Sequence, residues 1–238
     1  MNKSNSGNIS CLRFMAIGAY LSSLTTFLLW LLPFFYPPAS DFNATIPLSG
    51  NIYYLSKLWV NLIHIPLAMA GYAGITFIIM ERNALKAMFG MIWLSFWGLI
   101  EMCGIASIIL TVNQKWRTDY VQSDNFHKSE IKAAIESFFA IWDSLFFVLL
   151  ICFLLGSLFL GWATWSTNKL DRIISILLLL AVPLTILIII SGYTQYTSAG
   201  IFVKWLYPVV QPVSRLAIGL YIWKHTWWTY HFPKNVSH

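Results

Sequence analysis

Six apolar stretches divide this chain, each close to the ~20 residues that a helix needs to cross the hydrocarbon core of a bilayer. They run over about 13–36, 58–80, 87–112, 138–163, 172–193 and 202–223. Only helices and closed barrels satisfy their backbone groups in lipid, and these runs lack the two-residue alternation of barrel strands. The sequence therefore predicts an all-α polytopic membrane bundle with six transmembrane helices, forming one integral membrane domain over 1–238. Composition agrees: 58% of the 238 residues are hydrophobic and 10% are charged, against roughly a quarter charged in a soluble domain. Such a chain cannot cover its surface with polar groups, so the lipid bilayer is its implied partner.

Several function classes drop out at once. The net charge of +6 is spread along the chain, whereas nucleic-acid binding needs a clustered basic face, so no nucleic-acid partner is expected. Cys11, Cys103 and Cys152 lie at or inside apolar runs with no close spacing, which points to neither a disulfide framework nor a zinc site. There is no HExxH, no GxSxG and no Walker loop, so no metal or cofactor is expected. The first run is too long for a signal-peptide core and reads as a retained span.

The boundaries have local causes. Pro37 and Pro38 stop the first span, because proline lacks an N–H and restricts the residue before it. Residues 81–86 and 166–172 read as short polar turns, 192–200 as an uncharged turn and 37–57 as an irregular loop. The 113–137 connection carries four basic and four acidic residues, and its second half, from about Ser129, reads as an extension of the fourth helix. With six spans, both termini share a side with Arg13, Arg82, Lys86, Lys169 and Arg172, which the lysine and arginine rule places in the cytoplasm. The sequons Asn43-Ala44-Thr45 and Asn235-Val236-Ser237 would then face opposite sides. Most of the 12 tryptophans bunch near span ends, as an interfacial aromatic belt requires.

Four ionisable residues away from the ends of the apolar runs need an account: His64, Glu101, Asp143 and Arg215. An ionisable group in a span costs free energy unless neutralised, paired or hydrated, which makes each a functional-site hypothesis. At 1.5 Å per residue, Glu101 and Arg215 both sit roughly 15 Å from a span end, near mid-membrane. His64 lies about 9 Å deep, and Asp143 at the start of its span. The pattern predicts a polar cavity that opens on one side and ends at a Glu101–Arg215 floor, approached past His64 and Asp143. Asn61 shares a helical face with His64, and Gln211 sits between Pro208 and Pro212, where a bent helix would expose backbone acceptors. Gly98 and Gly104 flank Glu101 and allow a neighbouring helix to come close. The competing structural reading is an interhelical Glu101–Arg215 clamp, with His64 a packing residue, Asp143 interfacial and Glu136 a solvated charge.

The run WGLIEMCGI (97–105), with its intramembrane glutamate, WDSLFF (142–147) and LLGSLFLGWATWSTNKLDR (154–172) resemble in order a family of bacterial six-span membrane proteins defined by a domain of unknown function. The resemblance covers about 12–224, implies a bacterial inner-membrane location and groups Glu101 with Asp143; it implies no activity. Three function classes follow. One is binding or transport of a small apolar or cationic ligand, or of a proton, at Glu101 and Arg215. Another is a lipid-phase isomerase or reductase with Glu101, Asp143 and His64 as acid–base groups. The third is an accessory subunit in which the Glu101–Arg215 pair is structural.

Overall fold

A computed structural model describes the backbone of residues 3–194 and 198–231, and side chains over 8–194 and 205–227. The second sequon, part of the 192–200 turn, the ends of both termini and the Lys204 and Trp228 side chains lie outside the described residues. Among the described residues the chain is all helical, with α1 (Lys3–Leu31), α2 (Phe42–Thr45), α3 (Ile52–Ser107), α4 (Arg117–Gln122), α5 (Asn125–Thr164), α6 (Lys169–Tyr193) and α7 (Ser198–His231). Four segments among the described residues are long and apolar enough to cross a membrane: Asn8–Phe35, Ile52–Gln122, Asn125–Thr164 and Lys169–Tyr193.

The second of these is folded back on itself. The backbone at Asn83 leaves the helical region (φ −139°, ψ 53°) and divides α3 into two arms. In a straight helix Tyr72 and Trp97 would stand about 37 Å apart; here their rings meet edge to face at 6.3 Å. The turn is fastened from outside. Asn83 donates its side-chain N–H to the Ala163 carbonyl at 2.9 Å, and Arg82 pairs with Asp171 while also donating to the Thr164 carbonyl. Asp171 is 2% exposed and accepts a further bond from Ser166 at 2.6 Å. Arg82 and Asp171, placed by the sequence in short polar turns, thus form a partly buried clip between α3 and the α5–α6 turn.

Small residues set the helix spacing. A Cβ on Gly90 would lie 2.8 Å from the Leu160 backbone nitrogen, so the second arm of α3 meets α5 backbone to backbone. Gly18 lies against Ala70, and Gly71 against Ala19, which brings α1 onto the first arm. Gly74 receives Ile222 of α7. With no hydrophobic force between helices in lipid, such close approach is what dispersion needs to hold a bundle. Ser175 of α6 also donates to the Gly161 carbonyl of α5 at 2.6 Å.

Two connections differ from their expected form. The 37–57 loop contains α2, capped by Asp41 through the Ala44 N–H at 2.8 Å, then a 3₁₀ turn over Ile46–Gly50, and Asn51 caps α3. The 113–137 connection is helical almost throughout. A π-helical stretch, Ile108–Trp116, runs into α4, and α5 starts at Asn125, four residues before the expected extension. Asp124 caps α5 by accepting from the His127 N–H at 2.9 Å, and these contacts hold its carboxyl below the usual carboxylate range. Arg117, counted among the loop charges, is buried and donates to Asn113 at 2.6 Å and Tyr54 at 3.3 Å. Glu136 is exposed, as expected of a solvated charge, and lies 3.7 Å from Lys132.

At one end of the bundle, cations lie over tryptophan rings: Lys86 on Trp162 at 4.0 Å, Arg172 on Trp165 at 5.9 Å and Arg13 on Trp223 at 6.0 Å. Two outcomes test the packing. Gly90→Ala should cost about 1–3 kcal/mol, the range for overpacking a tight contact, read as a lower unfolding temperature in detergent. Asp171→Ala should cost about 2 kcal/mol through lost charged hydrogen bonds, and Arg82→Leu/Asp171→Leu should recover part of it because no buried charge is then left unpaired.

Candidate functional site

Between the helices lies a cavity of about 460 Å³. It starts beside Trp30, near the end of α1, and Lys57, near the start of α3, and reaches inward to Arg215 of α7. The α3 turn creates its polar side: Asn61 and His64 come from the first arm, Trp97 and Glu101 from the second. Helix α7 adds Tyr207, Pro208, Gln211 and Arg215. The opposite wall is apolar and aromatic, with Phe146, Leu149, Leu150 and Phe153 of α5.

Of the six candidates from the sequence, Glu101, Arg215, His64, Asn61 and Gln211 share this cavity, and Asp143 does not. Asp143 is exposed and lines a separate groove with Phe42, Thr45 and Glu136. Its position around α5 turns it away from the cavity. The nearby Tyr193 hydroxyl donates to its backbone carbonyl at 2.7 Å.

Glu101 and Arg215 face one cavity without forming an ion pair: among the described residues, no carboxylate oxygen lies within 4.0 Å of the guanidinium of Arg215. Arg215 is 5% exposed, and its Nε and Nη1 have no hydrogen-bond partner. Its charge rests instead against the rings of Tyr72 at 5.5 Å and Trp97 at 5.9 Å. A cation over an aromatic face recovers about 0.5–2 kcal/mol, less than an ion loses on leaving water. Glu101 is half-buried, with Asn61 and Trp97 as polar neighbours and Arg215 near enough to act through its field. Trp97 lies one turn before Glu101, about 6 Å along the helix, and its ring contacts Arg215.

His64 joins walls as well as lining one. Its Nδ1 shares a 2.8 Å hydrogen bond with Thr25 of α1. The Thr25 hydroxyl is also within 3.0–3.1 Å of the Leu21 and Ser22 carbonyls, which can take its proton. The bond satisfies a buried imidazole and fixes α1 against α3, as the packing reading expected. Helix α7 continues through Pro208 and Pro212. Pro212 has no N–H, so the Pro208 carbonyl at the cavity wall loses its helical donor, and Ser23 of α1 donates to the Pro212 carbonyl at 2.8 Å.

The glycines beside Glu101 do allow close packing: Gly98 lies against Met69 and Ile65, and the Trp142 ring occupies the space where a Gly104 Cβ would stand. Lys57, Trp97 and Tyr207 were missed as cavity residues. Lys57 precedes the second apolar run by one residue and resembles an interfacial anchor, while Trp97 and Tyr207 read as membrane aromatics; only their spacing from Asn61, Glu101 and Gln211, one helical turn each, pointed to the cavity.

Three or more histidine, cysteine, aspartate or glutamate residues do not gather into a metal-holding group among the described residues. The chain matches no protein-family model, no curated protein and no solved structure. A clamp and a ligand site differ in what Arg215 does for the empty protein. An unpaired buried cation lowers stability, so Arg215→Met should leave the unfolding temperature in detergent unchanged or raise it; a fall of several degrees would support the clamp.

Proposed function

We propose that this chain is a bacterial inner-membrane protein that crosses the bilayer six times and binds or transports a small ligand in the cavity between Glu101 and Arg215. The six crossings are α1, the two arms of α3, α5, α6 and α7. Each α3 arm exceeds the ~20 residues a span requires, and α7 contains 34. Arg82, Lys86, Lys169 and Arg172 gather at the end of the bundle that the lysine and arginine rule assigns to the cytoplasm, which supports cytoplasmic termini. The family resemblance carried by 97–105 and 142–147 belongs to the same proposal.

The observation that carries the ligand reading is the unpaired Arg215 in the wall of a 460 Å³ cavity, a volume within the usual range for small-molecule sites. A structural pair would be expected to close on itself. For the acid–base reading, Glu101 and His64 share the cavity and Asp143 lies outside it, which leaves Glu101 as its carboxylate.

The test is ligand capture. The protein, purified in mild detergent, should retain a small molecule or lipid detectable by native mass spectrometry. Glu101→Gln and Arg215→Gln should each reduce that retention at least tenfold while membrane insertion is unchanged. Full retention in both variants would refute a site at these residues.

A further inference from the structure

The cavity holds an acidic and a basic side chain that form no ion pair with each other. Arg215 lies against Tyr72 and Trp97. Glu101 faces the same space one helical turn from Trp97. Lys57 adds a second cation near the entrance. A ligand with one sign of charge would satisfy one of the two groups and be repelled by the other. An anion on Arg215 would lie close to the Glu101 carboxylate, and a cation on Glu101 would leave Arg215 unpartnered. A ligand carrying both signs a few ångströms apart satisfies both, and the amides of Asn61 and Gln211 can bond to either end.

Resting on the reading of this cavity as a ligand site, we propose that its ligand is an amphipathic zwitterion, with a primary ammonium on Glu101, an oxyacid group on Arg215 and an apolar remainder against Phe146, Leu150 and Phe153. Two sources share this chemistry: a free apolar amino acid, whose oxyacid is a carboxylate, and an aminophospholipid headgroup, whose oxyacid is a phosphodiester. The geometry of the cavity accounts for both signs. The apolar α5 wall accounts for the remainder, since charged or hydrated substituents would find no partner there.

The test uses the full chain in detergent and in nanodiscs. In detergent, calorimetric titration compares L-leucine with octanoate, which carries only the anion, and octylammonium, which carries only the cation. In nanodiscs, native mass spectrometry compares retention of phosphatidylethanolamine with that of phosphatidylglycerol, which lacks the ammonium. The expected result is that L-leucine or phosphatidylethanolamine binds at least tenfold better than its one-sign comparators. Leucine binding identifies the free amino acid, and preferential retention of phosphatidylethanolamine identifies the headgroup. Glu101→Gln should then remove the preference over the anionic comparators. If wild-type protein shows neither preference, binding octanoate or octylammonium as tightly as L-leucine and retaining phosphatidylglycerol as well as phosphatidylethanolamine, the zwitterion is overturned and the ligand cavity stands. Binding of none of these probes likewise overturns the zwitterion, and the ligand cavity itself falls only with full retention in the Glu101→Gln and Arg215→Gln variants. The wild-type ranking decides the matter even where a variant fails to fold.

Discussion

The reversal of α3 at Asn83 is the constraint on which the cavity depends. It sets Asn61 and His64 of one arm across from Trp97 and Glu101 of the other, and so turns a single continuous helix into two walls. The reversal is fastened by the Asn83 amide on the Ala163 carbonyl and by Arg82 on Asp171. Close approach at Gly90 then seats the second arm on α5, which supplies the apolar wall. Weakening the fastening would loosen the setting of Glu101 against Asn61 and His64, and with it the shape of the cavity.

The bundle handles buried charge in more than one way, and Arg117 rests on Asn113 and Tyr54 with no carboxylate among the described residues. At the clip end, Arg82 and Asp171 meet, and Ser166 completes the acceptor, so the pair is satisfied and serves the fold. Deeper in the bundle, Arg215 and Glu101 are kept apart, with aromatic rings under the cation in place of a carboxylate. Unsatisfied buried groups cost stability, and proteins concentrate such costs where they bind or react. The contrast within one molecule is the strongest reason to separate a structural ion pair from a site.

Depth along a span can be counted from sequence, and here it brought Glu101, Arg215 and His64 to their cavity. Rotation about the helix axis is harder, because one residue turns a side chain by about 100°. That is why Asp143 faces the Phe42–Glu136 groove instead, and why the proximity of Glu101 and Arg215 could be read as a pair. The apolar helices were legible from composition, whereas the Arg82–Asp171 clip was not: charges beside short turns look alike whether solvated or buried. The helical 108–122 region was hidden in a different way. Its charges resemble those of a loop, and only packing shows that Arg117 is enclosed by Asn113 and Tyr54.

The cations resting on Trp162, Trp165 and Trp223 have a mechanical consequence. In the proposed bilayer they moor one rim of the bundle at the headgroup level, where amphipathic rings and long basic side chains are most favourable. A moored rim cannot slide when the surrounding membrane thins or thickens. The other rim, where the chain passes from α1 through 3₁₀ turns and α2 to the start of α3, has cations over rings as well, Lys132 on Phe42 at 5.4 Å and Lys128 on Tyr120 at 5.8 Å. Mismatch with the bilayer would then strain the bundle between two moored rims, and the cavity entrance beside Trp30 and Lys57 lies at one of them.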